Sequence, residues 1–182
     1  MEFVKSHIEG LIEIFPSIFP DERGIFFESY SEKKFKENGL DLKFVQDNQS
    51  FSHKGVLRGL HFQANPHGQG KLVKVSYGKA LDVVVDLRMD SKTFGQHKSF
   101  ILDSERHNMV YIPVGFAHGF LALEDVVLQY KCTGLYNKQS EGGIIWNDKD
   151  LNINWGIENP IVSSKDLELP TFEQLKLSGN LF

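Results

Sequence analysis

Apolar and polar positions alternate along this chain in short runs separated by turn residues, which is the pattern of strands rather than helices. The runs predict strands at Ile25–Tyr30, Lys43–Asp47, Val56–Phe62, Lys71–Tyr77, Ala80–Leu87, Lys98–Leu102, Met109–Ile112, Gly119–Leu123 and Val126–Thr133. Their spacing, often about 8–12 residues or a little more, points to a sandwich or barrel. Leu11–Phe15 also reads as a strand, one without a hairpin partner close in sequence. In KLVKVSYGKALDVVVDL two β-rich runs flank Tyr77-Gly78-Lys79, which predicts a tight hairpin with Gly78 at positive φ. Helix signals are few. Ser31 caps a short helix running to Asn38, with Gly39 as its stop, and Thr171, after Pro170, caps another near Phe172–Leu177.

Residues two apart on a strand share a face, so the alternation also predicts where side chains point. Lys71 has the parity of Val73 and Val75 and shares their apolar face, opposite Lys74 and Ser76. Tyr130 lies with Leu128 and Cys132, opposite Gln129 and Lys131. A lysine and a tyrosine aimed inward each need a partner or a ligand. The plain alternatives are a core tyrosine bonded to a backbone carbonyl and a lysine whose amine reaches water at a strand end.

Composition narrows the class. At 182 residues, 41% apolar and 24% charged, the chain is expected to form a single domain over residues 1–182. A net charge of -4 and a pI near 6.0 argue against a nucleic-acid binder. No run approaches the roughly 20 apolar residues of a membrane helix. Glu2, Lys5, His7, Glu9 and Glu13 break up any secretory leader, and Cys132 has no second cysteine to pair with. A cytoplasmic protein is expected. Arginine is scarce, and Arg23 and Arg58 each precede a glycine. A guanidinium beside a flexible residue suits a phosphate or carboxylate, although a surface arginine at a turn is as plain a reading.

Seven histidines raise the question of a metal. Pro113-Val114-Gly115-Phe116-Ala117-His118 resembles the second motif of cupins, small double-stranded β-helix barrels. Metal-binding cupins carry His-x-His and a following Glu in the first motif; here the string is His61-Phe62-Gln63 with no such Glu. A neutral amide is a poor transition-metal ligand, and two histidines fall short of the usual three protein ligands. No metal is expected, which leaves His61 available as a base. His7, His53, His67, His97 and His107 read as surface or loop residues.

With His61 as base, Tyr130 is a candidate acid and Lys71 a cation on the same interior. Asp166, in a polar loop Ser163-Ser164-Lys165-Asp166, is a carboxylate able to orient an imidazole. Such a set suits proton abstraction beside a carbonyl, enolate stabilisation and reprotonation.

The same residues sit in strings that resemble the dTDP-4-dehydrorhamnose 3,5-epimerase family: DERGIFFE from Asp21, QDNQSFS from Gln46, VLRGLHFQ from Val56, QGKLV from Gln69, PVGFAHGF from Pro113, YKCT from Tyr130 and WND from Trp146. They follow the family's order from about Ile12 to Pro170. Glu105-Arg106-His107-Asn108 and Gly156 after Trp155 depart from its usual wording, away from the expected chemistry. The resemblance implies a cupin-type jelly roll with a few short helices, without cofactor, working as a homodimer with exchange of its N-terminal strand. It implies epimerisation at C3 and C5 of dTDP-4-dehydro-6-deoxy-D-glucose to dTDP-4-dehydro-L-rhamnose, the step before reduction to dTDP-L-rhamnose for polysaccharide. By motif match His61 is the base, Asp166 its dyad partner, Tyr130 the acid and Lys71 the lysine near the C4 oxygen. Arg23, Glu28, Gln46, Asn48, Arg58, His118, Tyr136, Glu141 and Lys165 match substrate-contacting positions. Relatives that invert only C3 or only C5, a metal-dependent cupin and a non-catalytic sugar-binding cupin are the competing readings.

Overall fold

The structure, a computed structural model, describes residues 1–179, 181 and 182. Its strands are β1 (Glu2–Lys5), β2 (Ile12–Phe15), β3 (Ile18–Asp21), β4 (Gly24–Phe27), β5 (Gln46–Ser52), β6 (Val56–Gln63), β7 (Lys71–Tyr77), β8 (Lys79–Asp86), β9 (His97–Asp103), β10 (Met109–Ile112), β11 (Phe116–Ala122), β12 (Val126–Cys132), β13 (Glu141–Gly143) and β14 (Ile161–Val162). Three short helices are α1 (Glu32–Glu37), α2 (Ser164–Leu167) and α3 (Phe172–Ser178). Both expected caps form: Ser31 Oγ accepts the Lys34 amide, and Thr171 and Gln174 make a reciprocal capping box.

Two sheets face each other. The first runs β1-β2-β10-β7-β12-β5; the second runs β13-β6-β11-β8-β9, with β14 attached to β6. From β5 to β12 the chain passes repeatedly from one sheet to the other, which gives the jelly roll its closed, cupin-like form. The expected hairpin at Gly78 is therefore wrong. Gly78 does have positive φ, but β7 and β8 belong to different sheets and do not pair. A Cβ at Gly78 would lie 2.1 Å from the Asp125 carbonyl oxygen, so the glycine permits a tight corner against another loop.

Three apolar clusters follow from this arrangement. Between the sheets lie Val73, Val75, Val84, Phe100, Leu102, Val110, Ile112, Phe116, Phe120 and Leu128. The outer face of the second sheet is covered by the C-terminal segment through Leu151, Trp155, Phe172 and Leu175, which is why β11 is buried along its whole length. The outer face of the first sheet meets α1, where Phe35 packs on Ile14, Leu72 and Met109.

Several expectations need correction. Leu11–Phe15 is not left without a local partner, since β2 pairs with β1 on one side and β10 on the other. The strand expected at Lys43–Asp47 instead begins at Gln46 and continues to Ser52. Its inward residues Gln46, Asn48 and Ser50 are polar, so hydrophobic alternation gave no signal there. The hairpin β3–β4 was visible only as its second half. It forms a separate two-stranded sheet and leaves Phe19 60% and Phe26 69% exposed.

Beyond β8 a polar staple closes the chain back on the barrel. Asp86 accepts from Arg88 Nε and Nη2, from Ser91 Oγ and from Thr93 Oγ1, at 2.6–2.8 Å. Burial alone would raise the Asp86 pKa, but these donors and the Arg88 amide bring it down to about 2. A carboxyl held below its unfolded value stabilises the fold above the ordinary range near 3.8 and loses that contribution as pH falls toward 2. Asp86→Asn is expected to lower unfolding free energy by about 2 kcal/mol at neutral pH. Urea titrations at several pH values should show that difference shrinking as pH drops from 4 toward 2.

Candidate active site

The site is built at one end of the inter-sheet space, where the apolar filling gives way to polar side chains. A cavity of about 310 Å³ opens there, lined by Asn48, Ser50, Lys71, Leu128 and Tyr130 from one sheet and by Arg58, His61, His118, Gly119 and Phe120 from the other. Strand parity had placed Lys71 and Tyr130 inward, and both reach this cavity. The Lys71 ammonium nitrogen lies 5.8 Å from the centre of the Tyr130 ring.

Arg58 and His61 share the cavity despite being an odd number of residues apart. In ideal pleating they would face opposite ways. The β6–β11 register pairs His118 with His61 but Phe120 with Arg58, so β6 contains one extra residue between them. Gly59 sits in that bulge at φ +119, and a Cβ there would stand 2.5 Å from Gly119 Cα. The bulge turns both side chains toward one space.

It also frees a donor. The Gly59 amide donates to Asp166 Oδ2 at 3.1 Å, while Asp166 Oδ1 is 2.7 Å from His61 Nε2. Asp166 lies in α2 rather than in a loop as expected; Ser163 caps that helix by accepting the Asp166 amide. Burial pushes the Asp166 carboxyl up, but the hydrogen bonds from His61 and Gly59 outweigh it and hold the group below its usual range. The carboxylate favours a proton on His61 Nε2, leaving Nδ1 with its lone pair.

Across the cavity, burial lowers the Lys71 pKa, opposed by Cys132 and Asp82. Burial and the neighbouring Cys132 raise the Tyr130 phenol, keeping its proton in place at neutral pH, while Arg58 acts the other way. His118 is bound through Nε2 to Asp82 at 2.6 Å, both side chains being buried, and Asp82 Oδ1 has no hydrogen-bond partner. Sequence reasoning missed Asp82. The parity argument that found Lys71 applies equally here, because Asp82 alternates with Ala80 and Val84 on the inward face of β8.

The remaining expected residues divide into two groups. Tyr136, Glu141 and Lys165 lie outside the cavity lining, where Tyr136 donates its hydroxyl to Glu141 Oε2 at 3.1 Å and Lys165 Nζ donates to Glu141 Oε1 at 2.7 Å. Gln46 donates to Asn48, and Arg58 donates to Ser52 Oγ and the Phe51 carbonyl. Arg23 and Glu28 also lie outside the cavity of their own chain, on a separate hairpin and the segment after it. Arg23 is 83% exposed and pairs with Asp21 within the β3–β4 hairpin, and Glu28 pairs with Lys34. Gln63, where a metal-binding cupin has its second histidine, has its amide bonded to backbone on three sides. Among the described residues no three His, Cys, Asp or Glu side chains are grouped as metal ligands. No helix among them is long and apolar enough to cross a membrane.

The sequence profile of the dTDP-4-dehydrorhamnose 3,5-epimerase family matches residues 5–174. The chain belongs to that family. A dTDP-4-dehydrorhamnose 3,5-epimerase of Methanothermobacter thermautotrophicus is 49% identical over 168 residues, 90% of each chain. A crystal structure of the epimerase from Elizabethkingia anophelis superposes with a TM-score of 0.92 at 48% identity, covering 96% of this chain and 97% of that one. The Legionella pneumophila enzyme, solved in complex with dTDP-4-keto-L-rhamnose, gives a TM-score of 0.92 at 42% identity over 97% of this chain and 95% of its own. These epimerases share the jelly roll described above across nearly its full length.

The bulge leaves no room for a side chain at Gly59. Gly59→Ala places a methyl against the Gly119 backbone at a φ unfavourable to any side chain. It is expected to cost about 3 kcal/mol or more of stability through overpacking and strain. Thermal denaturation should show the loss, and the His61 imidazole should lose its slowly exchanging Nε2 proton in NMR spectra.

Proposed function

We propose that the protein inverts C3 and C5 of dTDP-4-dehydro-6-deoxy-D-glucose to give dTDP-4-dehydro-L-rhamnose, by proton transfer through its own side chains. The observation that carries this reading is the opposition of His61, oriented by Asp166, to Tyr130 and Lys71 on the facing wall of one cavity. Inversion requires a proton to leave one face of a carbon and return to the other. His61 takes the proton beside the C4 ketone, the Lys71 ammonium stabilises the enolate oxygen, and Tyr130 returns a proton from across the cavity. Because the C4 ketone activates both neighbours, one base and one acid serve C3 and C5 in turn. Arg58, on the same wall as His61, is suited to the diphosphate, as is Arg23.

The test is solvent deuterium at C3 and C5 of the dTDP-4-keto sugar, followed by proton NMR. His61→Asn is expected to abolish both incorporation and product. Tyr130→Phe is expected to retain incorporation while net inversion falls about 10²-fold or more. Incorporation at C3 or C5 alone in the wild type would replace the double epimerase with a single-position one. Equal loss of exchange in the two variants would remove the separate base and acid roles.

Arg23 and Glu28 belong to this reading through a second subunit. Their hairpin presents Phe19, Ile25 and Phe26 to solvent, and an exposed apolar patch of this kind suits burial against another chain. A homodimer exchanging its N-terminal region, with Arg23 entering the partner's cavity, accounts for an arginine that its own cavity does not use. In that arrangement Arg23→Ala and His61→Asn chains are each inactive alone, while a mixed dimer contains one intact site. Coexpression of the two with different tags should restore about a quarter of wild-type activity. Mixed dimers that form and stay inactive would reject the shared site.

A further inference from the structure

Between β12 and the short 3₁₀ turn at Lys138–Ser140 the chain has no backbone partners of its own among the described residues. Backbone–backbone hydrogen bonds among the described residues stop where the Thr133 amide meets the Gly70 carbonyl and resume where the Ser140 amide meets the Asn137 carbonyl. Polar backbone left unpaired here would make a loose loop. Instead, three glutamine amides stand in for a neighbouring strand. Gln69 donates to the Gly134 carbonyl at 2.8 Å, and Gln46 accepts the Tyr136 amide at 2.9 Å. Gln63 donates to the Leu135 carbonyl at 3.2 Å and accepts the Asn137 amide at 2.6 Å.

Gln63 differs from the other two. It grips the residues on both sides of Tyr136, and its second N–H goes to the His67 carbonyl at 2.7 Å, so both donors and the acceptor are in use. It is only 5% exposed, so water is a poor substitute partner. Its place on β6 links it to the chemistry. Gln63 lies two residues beyond His61, and in the β6–β13 ladder its cross-strand partner is Glu141, while the partner of His61 is Gly143. Glu141 in turn accepts the Tyr136 hydroxyl. One rung of that ladder therefore holds Tyr136 at both ends, backbone through Gln63 and phenol through Glu141.

We infer that Gln63 is a positioning residue whose amide fixes Tyr136 relative to His61 by clamping the loop on both sides of the tyrosine. The residue that stands in place of a metal ligand is thus part of the site in another capacity. Only an amide meets the requirement: a carboxylate would aim an anion at two carbonyl oxygens, and an apolar isostere would leave an amide and two carbonyls unpaired. The inference rests on the epimerase reading for what Tyr136 does, but the clamp itself is observable without turnover.

The experiment combines amide hydrogen exchange of the free protein with kinetics on dTDP-4-dehydro-6-deoxy-D-glucose, for wild type, Gln63→Met and Gln63→Glu. In the wild type the Asn137 amide is expected to exchange at least about tenfold more slowly than an open loop amide. Gln63→Met should abolish that protection while β6 amides keep theirs, and Gln63→Glu should retain it because the acceptor oxygen remains. Both variants should lower kcat/KM about tenfold, the effect of roughly one net hydrogen bond. In a Tyr136→Ala background the same Gln63→Met change should cost less than about twofold, because the group being positioned is gone. An equal cost in both backgrounds would overturn the positioning role and leave Gln63 a general stabiliser. An Asn137 amide that exchanges freely in the wild type would overturn the clamp, with no variant needed. A protected Asn137 in a wild type without turnover would leave the clamp standing and overturn the epimerase reading instead.

Discussion

The site depends on how closely β6 and β11 approach at Gly59 and Gly119. Neither position has room for a side chain: a Cβ at Gly59 would meet Gly119 Cα at 2.5 Å, and one at Gly119 would meet the Arg58 carbonyl oxygen at 2.7 Å. This contact accommodates one extra residue in β6 and so breaks the alternation of its side chains. Three consequences come from the same irregularity. Arg58 and His61 face one cavity, the Gly59 amide is freed from the ladder, and that amide joins His61 in binding Asp166. A regular strand of the same composition would give up at least one of them.

The charge arrangement follows from what the two sheets enclose. Polar groups removed from water must find partners or shift their ionisation. Lys71 is favoured as a cation by Asp82 and Cys132 and disfavoured by burial, which has the larger effect. Tyr130 is kept protonated by the same enclosure. Asp166, also buried, goes the other way because two donors, the His61 ring and the Gly59 amide, converge on its carboxylate. One low-dielectric space thus holds an acid in its protonated form and a carboxylate in its ionised form, and hydrogen-bond supply makes the difference. Asp82 has fewer donors, with one oxygen on His118 and the other without a partner.

How much of this was legible in the chain varies with the physics involved. Strand positions with an apolar inner face were readable, and so was the inward aim of Lys71 and Tyr130, because a charged or phenolic side chain on an apolar parity is visible without a structure. Two of the three short helices were readable, α1 from Ser31 and Gly39 and α3 from Thr171, whereas α2 read as a polar loop. The inner face of β5 was not, since Gln46, Asn48 and Ser50 are polar on the side that faces the cavity. Gly78 marked a turn correctly, but positive φ is common to a hairpin and to a corner between sheets, and only tertiary pairing separates them. Asp82 was within reach of the parity argument and was overlooked among the apolar residues Ala80, Leu81 and Val83–Val85. The convergence of Asp166 on His61 across 105 residues lay outside any local pattern; residue chemistry made Asp166 a candidate, and the family resemblance paired it with His61.

The architecture suits the proposed chemistry for a geometric reason. Inversion at carbon by a separate base and acid uses proton carriers on opposite faces of the substrate. In a single sheet, inward side chains all approach from one direction. Two facing sheets supply opposed walls, and here β6 presents His61 while β7 and β12 present Lys71 and Tyr130. The separation between base and acid is then set by the sheet spacing, which the apolar cluster filling the rest of the sandwich maintains. Packing of Val73, Val75 and Leu128 is continuous along the strands with the placement of Lys71 and Tyr130. A change in core volume there would move the acid relative to the base without touching either. On the proposed chemistry, stability and stereochemistry depend on the same spacing.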